Sequence, residues 1–154
     1  MKYKRIFANG CSYFLTIVTY RRKEILIENI ELLRYAFKLS KQKYDYKIDA
    51  IVILPDHIHM IITPHIATDY SKIVSSIKRS FVYGLDEQLK EEAKTEISNS
   101  KYFRQHAGIW QERFYEHTIR DEKDWLEKME YIKNNPIKHE YVKSLIDWKY
   151  TSFK

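Results

Sequence analysis

The stretch from Tyr46 to Thr63 constrains this chain more than any other. Two runs rich in β-branched residues, Tyr46 to Leu54 and His57 to Thr63, are separated only by Pro55-Asp56. Each run is too short for a typical helix, and Pro-Asp is a turn signal. Strands joined by so short a connection form an antiparallel β-hairpin. In the first arm Ile48, Ala50, Val52 and Leu54 alternate with Lys47, Asp49, Ile51 and Ile53, which predicts two faces. The second arm opens on His57 and His59. Residues i and i+2 of a strand share a face, so the two imidazoles point the same way, with Cα atoms about 6–7 Å apart. Ile58, Met60 and Ile62 point the other way, toward a core. Two imidazoles on one face make half of a metal site. The pattern fits equally a pair of solvated histidines on the polar face of a half-buried strand.

Around this β-hairpin the chain alternates strands and helices. Ser12 to Thr19 reads as a first strand, followed by the basic loop Arg21-Arg22-Lys23. Glu24 to Lys43 reads as a helix, with Leu26, Ile30, Leu33 and Phe37 on one apolar face. After a loop carrying His65, read as a surface residue, Thr68 or Asp69 can cap a second helix with Ile73, Ile77 and Phe81 inward. The acidic stretch from Asp86 to Ser100 is helix-prone and would repel nucleic acid, so it is placed away from any binding face. Trp110 to Ile119 contains a strand, and Asp121 is the N-cap of a last helix that is expected to stop before Pro136. Trp148 to Phe153 reads as a closing extended piece. The expected class is α+β: a ferredoxin-like βαββαβ antiparallel sheet with helices on one face, plus a C-terminal helix, in one domain spanning 1–154. The other face of the sheet would then be bare and open for the His pair and its substrate.

The chain has 154 residues, enough for one real core, with 44% hydrophobic and 31% charged residues. That composition excludes a disordered chain. The single cysteine, Cys11, rules out an intrachain disulfide and suggests a reducing compartment. No apolar run approaches a membrane span, and the basic start Met1-Lys2-Tyr3-Lys4-Arg5-Ile6 leads into no signal-peptide core. A net charge of +6 favours a polyanionic partner. Tyr3-Lys4-Arg5, Tyr20-Arg21-Arg22-Lys23 and Lys101-Tyr102-Phe103-Arg104 mix rings that stack on bases with cations that neutralise phosphates. Lys72, Ser76, Arg79 and Tyr83 line up at helical spacing. Such a stripe could track a phosphate backbone, or be a solvated helix face.

The last helix can be read by angle. At about 100° per residue, Trp125, Leu126, Met129 and Ile132 gather on one apolar side. Tyr131 falls nearly opposite, near Lys128, and Asn135 lies one turn further along that flank. A core tyrosine would sit in the apolar stripe. The angles leave two readings open: a surface tyrosine with an Asn helix stop, or a tyrosine nucleophile with an amide metal ligand.

The motifs Leu54-Pro55-Asp56-His57-Ile58-His59, Ile109 to Glu122 (IWQERFYEHTIRDE), Tyr131 to His139 (YIKNNPIKH) and Asp147-Trp148 with Ser152-Phe153 resemble the single-tyrosine HUH nucleases, specifically the REP-associated tyrosine transposases of bacteria. The resemblance runs from about Tyr13 to Phe153. It implies a DNA-cleaving enzyme with Tyr131 as nucleophile, His57, His59 and Asn135 as ligands of Mg²⁺ or Mn²⁺, and single-stranded or hairpin DNA as partner. Cleavage would leave a 5′-phosphotyrosyl link and a free 3′-OH. Arg21, Arg22, Lys72, Arg79 and Tyr83 are the expected DNA contacts, with Glu116 and His117 behind the site. A cytoplasmic, nucleoid-associated monomer or homodimer is expected, with no membrane partner and without the C-terminal extension of some members. Glu140 stands where the family often has Gly, and Lys149 where it often has Pro. Two rival readings are a zinc hydrolase built on His57, His59 and His65 or His117 with Asp56 as base, and a nucleic-acid-binding module with an inert His pair.

Overall fold

The β-hairpin forms as expected and supplies half of one antiparallel sheet. In the computed structural model, which describes residues 11–153, the elements are β1 (Tyr13–Val18), α1 (Ile30–Lys43), β2 (Tyr46–Ile53), β3 (His57–Pro64), α2 (Tyr70–Gly84), α3 (Glu87–Thr95), α4 (Asn99–Phe103), β4 (Tyr115–Thr118) and α5 (Glu122–Lys138). The basic start, with Tyr3-Lys4-Arg5, lies outside the described residues. The sheet order is β2-β3-β1-β4, all neighbours antiparallel. This is the ferredoxin-like βαββαβ arrangement, with α3 and α4 inserted before the fourth strand.

Strand parity divides the side chains. Leu15, Ile17, Ile58, Met60 and Ile62 meet Leu33 and Ala36 of α1 and Ile73, Ile77 and Phe81 of α2 in one buried cluster. Each such side chain contributes roughly 1.5–3 kcal/mol of transfer free energy. The opposite face carries Phe14, Ala50, Val52, Ile61 and the two histidines. That face is not bare. Ile132 of α5 packs on Phe14, Ala50, Val52 and Ile61, joined by Trp125, Met129, Trp148 and Phe153. Four apolar side chains exposed on a sheet face demand cover, and α5 provides it. Leu126, expected inward, is 56% exposed, because α5 uses a narrower stripe than the angles alone suggest.

Other local expectations are corrected by backbone hydrogen bonds. The register of β2 slips between Ile48 and Ala50, so Asp49 is an extra residue. Ile48 therefore packs with Ile51 toward the helices, whereas Ala50, Val52 and Leu54 face α5. α1 starts at Ile30 rather than Glu24, because the Leu26 N–H donates to the Pro55 carbonyl at 3.0 Å and ties that segment to the β2–β3 turn. The acidic stretch breaks in two, with Asp86 capping α3 and Ser98 capping α4. The Asp121 cap forms: its carboxylate accepts from the Asp124 N–H at 2.8 Å. α5 does not stop at Pro136 but runs through it to Lys138. Proline costs the final turn one hydrogen bond, and burial of Ile132 and Pro136 on the same helix offsets it. The closing piece lies along β2, with Ile53 N–H donating to Tyr150 O at 2.8 Å and Ser152 N–H to Ile51 O at 2.9 Å. It covers what would be an open strand edge. Glu140, just past α5, has φ 61°, a left-handed conformation that explains why glycine suits this position.

Candidate active site

His57 and His59 sit where parity places them, with ring centroids 4.8 Å apart. Both are almost wholly buried. Each is oriented through Nδ1. His57 Nδ1–H donates to Asp56 Oδ1 at 2.6 Å, and the other oxygen of Asp56 pairs with Arg22 Nε at 2.8 Å. His59 Nδ1 is 2.8 Å from Thr16 Oγ1, its cross-strand neighbour. With Nδ1 protonated, the Nε2 of His59 keeps a lone pair; it is buried and has no partner in the protein. Burial, then the nearby charges of His57, His139, Lys138 and Arg22, push the His59 imidazole down to about 3. Burial also lowers His57, although Asp56 opposes it. Both rings are therefore neutral near pH 7 and able to donate lone pairs.

α5 brings the other components. Tyr131 lies edge-on to His59, with centroids 5.0 Å apart, and to Phe14 at 5.7 Å. It is 38% exposed. One turn on, Asn135 is fully buried, and neither its Oδ1 nor its Nδ2 has a hydrogen-bond partner. A buried amide with no partner costs about 1–3 kcal/mol and calls for an explanation. Two neutral imidazoles and an amide oxygen suit a divalent cation, so the residues fit the metal that the resemblance implies. Among the described residues no group of three or more His, Cys, Asp or Glu side chains is placed to hold a metal.

His57, His59 and Tyr131 border a cavity of about 650 Å³, whose walls also include Thr16, Arg22, Tyr115, Lys128 and His139. His139 and Lys138 went unassigned in the sequence reading. The His139 ring is 5.3 Å from His57, and Lys138 Nζ is 4.9 Å from the Tyr131 ring centre. An expected helix stop before Pro136 hid both, because only the continued helix carries Lys138 over Tyr131 and His139 beside His57.

A pH dependence follows for the metal-free protein. The folded-state pKa of His59, about 3, lies below the unfolded value near 6.5, so the unfolded chain takes up the proton first. This stability is present above pH 6.5 and is lost as pH falls toward 3, by up to about 1.4 kcal/mol per unit. Urea unfolding at pH 7 and 5 should show a drop of roughly 2 kcal/mol, largely removed in His59→Ala. Equal stability at both pH values would contradict the buried neutral ring.

Comparison with known proteins decides the family. Residues 7–135 match the family model "Transposase IS200 like". The chain belongs to the IS200-like transposase family. A Haemophilus influenzae protein assigned to the REP-associated tyrosine transposases is 40% identical over 153 residues, 98% of this chain and 84% of that protein. The REP-associated tyrosine transposase of Escherichia coli is 33% identical over 154 residues, 99% of this chain and 82% of that protein. A solved structure of a REP-associated tyrosine transposase bound to a REP hairpin superposes with a TM-score of 0.76 at 32% identity, covering 99% of this chain and 82% of that one. These relatives are enzymes acting on DNA, which removes the inert binding module as a reading.

Against that family fold, the remaining expected residues separate. Arg22 borders the cavity beside the His pair, and Arg21 lies beside the Tyr20 ring at 5.6 Å. Lys72, Arg79 and Tyr83 are exposed on α2, on the far side of the sheet from the His pair. Glu116 pairs with Leu15 and so faces the α1–α2 layer, which corrects its expected place behind the site. His117 shares the Phe14 face, but its Nε2 bonds Asp124 Oδ2 at 2.7 Å. That buried carboxylate is also held by Arg120 N–H and Lys128, so His117 anchors the start of α5 rather than bordering the cavity. His65 is exposed at the opposite end of β3, and Asp56 is committed to Arg22 and His57. The zinc-hydrolase reading thereby loses its third ligand and its base. No helix of the described residues is long and apolar enough to cross a membrane.

Proposed function

We propose that this chain nicks and rejoins single-stranded DNA beside a hairpin through a covalent 5′-phosphotyrosine on Tyr131. One observation carries the reading: an accessible phenol lies 5.0 Å from the His59 ring, on the helix that also buries the unpartnered Asn135 amide. The REP hairpin bound to the related structure supports the substrate class.

His57, His59 and Asn135 would hold Mg²⁺ or Mn²⁺, which polarises a phosphate and neutralises developing charge when bound. Asp56 and Thr16 keep the two imidazoles in register through their Nδ1 atoms. Arg22, at the cavity wall, supplies a guanidinium for a phosphate oxygen. The Tyr131 oxygen attacks phosphorus, the bond to the 3′-oxygen breaks, and that oxygen takes up a proton. A phenol of pKa about 10 is a weak nucleophile at neutral pH and needs help losing its proton. Lys138 Nζ lies 4.9 Å from the centre of the Tyr131 ring, and His139 lines the same cavity as the phenol. Phenolate is also a fair leaving group, so a returning 3′-hydroxyl can reverse the step and rejoin DNA without a nucleotide cofactor.

An end-labelled hairpin with a single-stranded flank, run beside plain duplex with Mn²⁺ or excess chelator, tests this. Cleavage and a denaturant-stable protein–DNA adduct are expected for the hairpin with metal only. Equal cutting of duplex, cutting in chelator, or cutting without an adduct would overturn the reading.

A further inference from the structure

The catalytic cavity is not the only hollow that combines cations with rings. A second one, of about 540 Å³, lies between α2 and residues 105–112, bordered by Lys78, Arg79, Tyr83, His106, Trp110 and Gln111. It is built by cross-links between its two walls. Trp110 Nε1 donates to the Lys78 carbonyl at 3.2 Å, and Lys78 Nζ donates to the Gln111 carbonyl at 2.8 Å. Trp110 is buried against Phe81. Gly108, at φ 74°, lets the segment turn in beside α3, where a Cβ would come within 2.6 Å of the Ala93 carbonyl.

The rim is unlike the walls. Tyr83 is 86% exposed. Arg79 is exposed beside it, and the described residues offer it no ion-pair partner. The carboxylate on this wall, Glu112, is paired with Arg104 at 3.3 Å. An open ring next to an unpaired guanidinium suits a base with its phosphate, and neither group has a packing reason to stand there.

The hollow also connects to the active site. The His106 ring meets Tyr20 at 5.6 Å, and Lys101 Nζ lies 4.6 Å from the Tyr20 ring centre. Tyr20 begins the turn Tyr20–Arg22, whose Arg22 borders the catalytic cavity. Arg21 and Arg22 both adopt left-handed backbone, at φ 56° and 58°, a conformation that costs non-glycine residues free energy and is retained here where two arginines are presented. A strip of rings and cations thus runs from Arg22 over Tyr20 to the hollow.

We infer that this hollow is a second DNA subsite, holding a nucleotide of the single-stranded flank whose cleaved end lies at Tyr131; the inference rests on the DNA-cleaving function proposed above. The flank passes over Tyr20, its phosphates meet Arg21 and Arg79, and a base stacks on Tyr83. Affinity therefore rises with flank length until the strand reaches the hollow.

Fluorescence anisotropy with one hairpin and flanks graded up to about eight nucleotides, within the site sizes of single-strand-binding folds, measures this. The wild-type chain should gain at least about fivefold in affinity between the shortest and longest flanks, as expected for one stacked base. In the double variant Arg79→Ala, Tyr83→Ala the gain should shrink below about twofold. Both side chains are exposed, so the variant should melt like wild type. As a second measurement on the unaltered chain, a 5-iodouridine in the distal flank should photocross-link to the α2 or 105–112 peptides. A flat length series in wild type, a full gain in the variant, or cross-links confined to other peptides would overturn the subsite while leaving hairpin cleavage intact. A wild-type chain that neither binds nor cuts any hairpin would instead remove the function on which the subsite depends.

Discussion

Tyr131→Phe should abolish strand cleavage and the covalent protein–DNA adduct together, with a fall of at least about 10³-fold, equivalent to about 4 kcal/mol of barrier. The substitution removes one oxygen and keeps the ring, so the edge contacts to Phe14 and His59 survive, as does the Lys138 contact. Hairpin affinity should stay within about twofold of wild type. The control is demanding, because Tyr115 borders the same cavity, is 57% exposed and touches Phe14 at 6.2 Å. Tyr115→Phe should keep the adduct. Denaturing gels with end-labelled DNA read both outcomes. An adduct that persists in Tyr131→Phe and disappears in Tyr115→Phe would move the nucleophile to β4. Residual cleavage without an adduct would point to water as the attacking group.

Asn135→Leu should produce opposite effects on stability and on activity. Leucine keeps a side chain of similar shape and removes two buried polar atoms that have no partner. The metal-free protein should gain about 1–3 kcal/mol, seen as a rise of several degrees in Tm. Metal-dependent cleavage should nevertheless fall at least about 10²-fold, because the amide oxygen proposed as a metal ligand is gone. The readout independent of activity is thermal. Mn²⁺ should raise the Tm of the wild-type chain, since a ligand that binds only the folded state stabilises it. That increment should vanish in Asn135→Leu and in His59→Ala. A lower Tm with unchanged cleavage in Asn135→Leu would make the asparagine an ordinary structural residue, held by water.

Much of this was legible in the chain itself. Strand parity is set by backbone geometry alone, so His57 and His59 had to share a face and Ile58, Met60 and Ile62 the other. Helical angle likewise separated Tyr131 from the stripe of Trp125, Met129 and Ile132. Local chemistry placed the Pro55-Asp56 turn and the Asp121 cap. These are short-range rules, and a sequence states them directly.

Long-range contacts decided the rest. Which face α5 would cover depended on Phe14, Ala50, Val52 and Ile61 coming together from three strands, and no single strand reveals that patch. The bulge at Asp49 changed the facing of Ile48, because the pairing of β2 with β3 and the packing of α1 outweighed simple alternation. The same packing carried α5 through Pro136, placing Lys138 over Tyr131 and His139 beside His57. The sequence by itself determined that His57 and His59 share a face and that Tyr131 leaves the apolar stripe of its helix. Only tertiary structure brought the imidazoles of β3, the phenol of α5 and the guanidinium before α1 to one cavity, because burial energy is a property of assembled surfaces and not of neighbours in the chain.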